Sequence, residues 1–207
     1  MKHRLLPAIP LVLLAGTAIA DPMNHGTDWS GGYVGLGVSY SDGSYDSNSY
    51  TPPDVSGPLG SAMLGYNFQK DRVVYGAEAV LNFGNIEETN SGSCGVGATS
   101  CRSTIEQYAA IRGRVGYTFD QTLVFMTVGI ATDRQSHQAF GINPGDDSER
   151  HYGYTVGIGA EQSIGEDWSV RGDLEYYDFG TETYNFAGGT QIEAKTKAAR
   201  ISIVKRF

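Results

Sequence analysis

Four residues in the middle of this 207-residue chain have the types of a hydrolytic site. Asp133, Ser136, His137 and His151 supply an acid, a hydroxyl and two imidazoles, the set from which a nucleophile, a base and an orienting carboxylate are made. They fall toward the two ends of the polar segment 131–150, which reads as one loop, and no motif fixes their geometry. Polar residues at the base of a loop are ordinary, so the chain is expected not to be an enzyme and no catalytic residue is assigned. Asp146 and Asp147 are adjacent carboxylates, but that spacing matches no calcium loop. Cys94 and Cys101 have six residues between them, rich in Ser, Gly and Thr, with no His or acid at ligand spacing. A local disulfide is expected there rather than a metal site, and no cofactor is implied.

A second set of chemically capable residues is spread along the chain. Glu78, Glu106, Arg112, Arg114, Glu161, Arg171, Asp173, Glu175 and Arg200, with Arg206 beside them, all lie on the small or polar face of segments that alternate with a period of two. In the first segment Val34, Leu36, Val38 and Tyr40 oppose Gly35, Gly37 and Ser39. In the fourth, Ala109, Ile111, Val115, Tyr117 and Phe119 oppose Glu106, Tyr108, Arg112, Arg114 and Gly116. In the seventh, Trp168, Val170, Leu174 and Tyr176 oppose Arg171, Asp173, Glu175 and Tyr177. Segments 61–68, 75–83, 124–131, 154–161 and 199–207 sort in the same way.

The first twenty residues set the compartment. Lys2, His3 and Arg4 precede an apolar run over 5–19 that ends in Ala18, Ile19 and Ala20, and Pro7 and Pro10 stand inside it. A secretory signal peptide over 1–20 is expected, then a short segment over 21–28 and one β-domain over 29–207. No later stretch holds the roughly 18 consecutive apolar residues of a membrane helix, so a membrane span must be built from strands. The formal charge of −8 becomes about −10 once Lys2 and Arg4 leave, which disfavours nucleic acid as a partner.

Which face meets lipid follows from the glycines. Much of the chain's 28 Gly stands on the charged face, as a narrow packed interior requires and a watery surface does not. The apolar face ends in aromatics. Apolar side chains therefore point outward into lipid, and the charges form an ion-pair network filling the lumen. Connections alternate as well: 41–57, 84–103, 131–150 and 180–195 are long and polar, whereas 69–72, 120–122 and 165–167 are short. Short periplasmic turns and long external loops belong to outer-membrane barrels. With that orientation Trp29, Phe68, Tyr75, Tyr117, Phe119, Trp168 and Phe207 gather at the inner rim, and Tyr40, Phe83, Tyr154 and Tyr176 toward the outer one.

Several runs carry a family resemblance: Trp29-Ser-Gly-Gly-Tyr-Val-Gly, Gly65-Tyr-Asn, Ile111-Arg-Gly-Arg-Val-Gly-Tyr-Thr-Phe-Asp120, Trp168-Ser-Val-Arg, Tyr176-Tyr-Asp-Phe-Gly180 and the final Phe207. In these the chain resembles the small outer-membrane barrels that include the opacity proteins and the OmpA-like transmembrane domain, a porin-like group. The resemblance implies an all-β, eight-stranded antiparallel transmembrane up-and-down barrel. It also implies that Phe207 in the last strand is the signal read by the outer-membrane assembly machinery. Lys205 stands where such chains usually have an aromatic, and is expected to snorkel to the periplasmic interface.

The expected protein is a monomer in the outer membrane, in contact with its lipid and lipopolysaccharide, with a structural or porin-like role. An adhesin that binds partners through its external loops is the alternative, and a hydrolase at the outer mouth is a further one.

Overall fold

The computed structural model describes residues 26–47, 53–90, 98–141, 145–184 and 190–207. Eight strands follow one another: β1 (Gly31–Ser47), β2 (Val55–Lys70), β3 (Val73–Asn90), β4 (Ala98–Phe119), β5 (Thr122–Gly141), β6 (Gly145–Ser163), β7 (Trp168–Tyr184) and β8 (Thr190–Arg206). Each pairs antiparallel with its neighbours in the chain, and β8 returns to β1, with Tyr33 opposite Arg206 and Ser47 opposite Ile192. Closure is forced by the surroundings, because lipid offers no partner to the amides of an open edge. The architecture is the eight-stranded up-and-down barrel that the alternation predicts.

At one end the strands are joined by tight turns at 71–72 and 120–121 and by a short connection over 164–167. Asp71 and Asp120 take up left-handed φ values of 56° and 52° there, a conformation that a short polar side chain tolerates. By the convention of such barrels this end faces the periplasm.

The strands run from 16 to 22 residues, although about 9–11 tilted residues suffice to cross a bilayer. The surplus lies entirely on the far side of the lipid-facing band. On β1 the outward residues Val34, Leu36, Val38 and Tyr40 are exposed, and the next ones outward are Asp42, Ser44 and Asp46. Pairing continues past that change, with Asp42 opposite Ser56 and Asp46 opposite Glu193. Most of 41–57, 84–103, 131–150 and 180–195 is thus paired strand and not loop. The hydropathy pattern ends where the lipid ends, whereas the hydrogen-bonded ladder needs only backbone.

Three β-bulges mark the same level. They fall between Phe83 and Ile86 in β3, between Ile105 and Gln107 in β4, and between Asp178 and Thr181 in β7. Gly84 and Gly180 supply the positive φ of two of them, 145° and 69°.

Inside, the barrel is layered. Trp29, Val74, Leu123 and Phe125 pack at the periplasmic mouth. Charged residues fill the middle beside a small group of Tyr33, Met63, Val80 and Val204. Tyr45, Val55, Leu59, Ile86, Ile105, Tyr108, Phe179 and Ile192 belong to the apolar core of the outer half.

Trp29 departs from the expected inner girdle: it is buried inside the mouth. Its indole Nε1 donates to Thr118 Oγ1 at 3.2 Å, its amide donates to Gln69 Oε1 at 2.8 Å, and the Arg206 guanidinium stands 4.7 Å from its ring. The residue precedes β1, so no alternation obliges it to point at lipid, and the chain folds it back as a plug.

Candidate functional site: the charged lumen

Eight charged residues meet at the centre of the membrane section, each placed by strand parity. Glu78 of β3 is directly opposite Arg112 of β4, Glu161 of β6 is opposite Arg171 of β7, and Asp173 of β7 is opposite Arg200 of β8. Glu78 is the hub. Its Oε1 accepts from Arg112 Nε at 2.6 Å and from Arg171 Nη2 at 2.9 Å, while its Oε2 accepts from Arg171 Nη1 at 2.7 Å and from the Tyr33 hydroxyl at 2.6 Å.

Arg171 spans two acids, because it also donates from Nη2 to Asp173 Oδ1 at 2.7 Å. Asp173 in turn faces Arg112 and Arg200, each at 3.5 Å. Glu175 closes the chain of contacts: Arg200 Nη2 donates to it at 2.5 Å, the Tyr177 hydroxyl at 3.0 Å, and Arg112 pairs with it too. A second cluster lies nearer the periplasm, where Arg114 Nη2 donates to Glu161 Oε2 at 2.7 Å and the Ser169 hydroxyl donates to Glu161 Oε1 at 2.5 Å.

Phe125 is the platform beneath both clusters. Its ring lies 3.8 Å from the Arg114 guanidinium and 4.4 Å from that of Arg171, where the π-face attracts a cation. Two glycines make the room. A Cβ on Gly159 would collide with the Phe125 ring, and one on Gly129 with Arg112, which stands opposite it.

Four arginines thus face four acids, all nearly excluded from solvent. Taking a charge out of water costs several kcal/mol per ion, so such a set persists only when every member is paired and hydrogen-bonded. What the geometry does chemically is neutralise and fill.

Of the nine residues expected in this network, Glu106 is the exception. Its side chain is 41% exposed and sits 3.7 Å from Arg134 on the outer surface. The bulge between Ile105 and Gln107 resets the parity of β4, so Ile105 and Ser103 point inward beyond it and Glu106 is displaced. Period-two counting from Tyr108 passes straight through that bulge. Removing Glu106 is what makes the lumen set balanced.

The other candidates scatter. Asp133 and His151 are opposed and buried in the outer half, with the His151 amide donating to Asp133 Oδ1 at 3.3 Å. Ser136 and His137 lie further out along β5, opposite Ser148 and Asp147, so the four stand on paired strands and not at two ends of an irregular loop. The side chains of Ser136, His137, Asp146 and Asp147 lie outside the described residues, as does Cys94. Cys101 is buried and disulfide-bonded. Among the described residues no group of three or more His, Cys, Asp or Glu is placed to hold a metal. Phe207 is exposed on the lipid face, and its amide donates to the Gly32 carbonyl at 2.9 Å. Lys205 reaches Asp167 at 3.0 Å at the periplasmic end, over the Trp168 ring.

Sequence reasoning missed Tyr33, Phe125 and Trp29 as parts of this site. Phe125 carried a signal, since a large aromatic on the small, polar face of its segment has to fill interior space.

A family model described as an outer membrane protein beta-barrel domain matches residues 9–207. The chain belongs to this outer-membrane β-barrel family. A 31 kDa outer-membrane immunogenic protein of Brucella melitensis is 31% identical, over 86% of this chain and 84% of its own length. A 22 kDa outer membrane protein of Rhizobium leguminosarum is 27% identical over 82% and 73%. Among solved structures, the outer membrane protein OprG of Pseudomonas aeruginosa matches with a TM-score of 0.57, covering 88% of this chain and 98% of that one at 12% identity. The attachment invasion locus protein of Yersinia pestis matches at 0.53, covering 86% and 99%, also at 12% identity. These two likenesses establish the shared fold. Barrel, family and relatives together place this member of the family in the outer membrane.

Proposed function

We propose that this family member is a sealed barrel, a structural component of the outer membrane whose working surface is the outer half. The observation that carries this reading is the lumen itself: Arg112, Arg171 and Arg200 are fully buried among their acids, Trp29 plugs the periplasmic mouth, and an apolar core fills the outer half. An eight-stranded barrel is about wide enough for its own side chains, and here those side chains occupy it. A porin-like role would need the network to part.

Recording single channels from the refolded mature chain in planar bilayers tests this. No discrete current steps are expected, and a reproducible unitary conductance would overturn the proposal.

One observation favours surface recognition as the use of that outer half. The strands extend past the lipid as a paired wall bearing Asp42, Asp46, Glu87, Glu88, Arg102 and Arg134, a surface of charged residues held in fixed positions. The Brucella relatives being named immunogenic supports exposure of such a surface to the outside.

A further inference from the structure

Arg134 and Arg150 occupy directly opposed positions on β5 and β6, and both are exposed on the outer wall of the barrel. Like charges in that relation destabilise a strand pair. Other basic residues on the same wall are matched: Lys195 pairs with Glu193 at 2.7 Å, Arg102 with Glu87 at 3.9 Å, and Lys197 stands opposite Asp42. For the Arg134 and Arg150 pair the only answering acid among the described residues is Glu106, 3.7 Å from Arg134 Nε. Among the described residues that leaves one positive charge without an answering acid, on Arg150.

The height of the pair is fixed by its neighbours. One step toward the membrane stand Thr132 and Tyr152, and one step further Ile130 and Tyr154, with Ile130, Tyr152 and Tyr154 all strongly exposed. The arginines therefore sit immediately beyond the outer aromatic belt, at the level where headgroups begin. Opposed residues on antiparallel strands have Cα atoms about 4.5–5.5 Å apart, so two guanidinium forks there can share one phosphate.

We propose that Arg134 and Arg150 hold a phosphate on the glucosamine headgroup of lipopolysaccharide in the outer leaflet, with its acyl chains lying along Tyr152, Ile130 and Tyr154. The acidic chain as a whole repels such a headgroup, so binding is local to this pair and sensitive to ionic strength.

The test uses the refolded mature protein in detergent micelles, with retained lipid counted by native mass spectrometry. The probes are bisphosphorylated lipid A, dephosphorylated lipid A, phosphatidylglycerol and inorganic phosphate. Bisphosphorylated lipid A is expected to bind about tenfold or more tightly than the dephosphorylated form, the equivalent of about 1.4 kcal/mol. Arg134→Gln with Arg150→Gln abolishes that preference, and Arg102→Gln leaves it unchanged. Equal binding of the two lipid A forms, phosphatidylglycerol binding as tightly, competition by inorganic phosphate alone, or a preference surviving in the double variant would each overturn the assignment. Should the double variant fail to refold, Arg150→Gln alone, which removes no ion pair among the described residues, is read by the same criterion.

Discussion

Along β1 the barrel turns inside out. Below Tyr40 the outward residues are Val34, Leu36 and Val38 and the inward ones Gly35, Gly37 and Ser39; above it the outward residues are Asp42, Ser44 and Asp46, and Tyr45 points inward into an apolar core. The two halves share strands and differ in which face is greasy; the ring itself is closed only in the membrane half, because β2 and β3 pair no further out than Gly60 and Phe83, and β6 and β7 no further than Tyr154 and Asp178. The membrane half puts its charges inside because lipid cannot solvate them, and the outer half puts its apolar groups inside because water surrounds it. The contrast shows that backbone pairing is indifferent to polarity, since the β1–β8 and β5–β6 ladders run unbroken through both solvents. The bulges at Gly84, in β4 and at Gly180 fall at the join, where parity is reset in β4 and β7.

The buried charges of the membrane half are the most sensitive point. Glu78→Gln takes the hub charge from between Arg112 and Arg171 and is expected to cost about 3–5 kcal/mol, because it leaves buried guanidinium charge uncompensated. Reversible urea unfolding of the protein refolded in lipid vesicles measures this; a loss below about 1 kcal/mol would mean the lumen is wetter than the packing indicates.

One kind of substitution made on the outer wall of each half sharpens the contrast. Val128→Arg, in the lipid band, is expected to cost about 2–4 kcal/mol, as arginine does near the bilayer midplane. Thr104→Arg, on the outer wall beyond the band, should stay within about 0.5 kcal/mol of the parent. Equal costs at the two positions would erase the boundary. A modest effect belongs to the interior of the outer half, where Ile105→Val should cost about 0.5–1.5 kcal/mol if that core is packed as closely as a water-soluble one.

What the sequence made legible was whatever a period of two can carry. The lipid face of every strand and the inward side of Glu78, Arg112, Arg171 and Arg200 follow from parity alone. Parity fails at a bulge, so it puts Glu106 in the lumen, and it says nothing about a residue ahead of the first strand, such as Trp29. The strand extensions look like loops in the sequence because their outward residues are polar and their inward ones apolar, the reverse of the membrane half. Hub geometry was out of reach for a different reason. That Tyr33 and Arg171 both bind Glu78 depends on three strands distant in sequence facing one another across the lumen.

The plug at the periplasmic mouth carries a consequence for how the molecule comes into being. Trp29 lies just ahead of the first strand, while Arg206, whose guanidinium rests on its ring, ends the last. These two residues meet only when β8 has found β1. A nascent or clipped chain short of its final strand has a tryptophan with no guanidinium laid across it, so the capped mouth requires the closed ring and reports that it is complete.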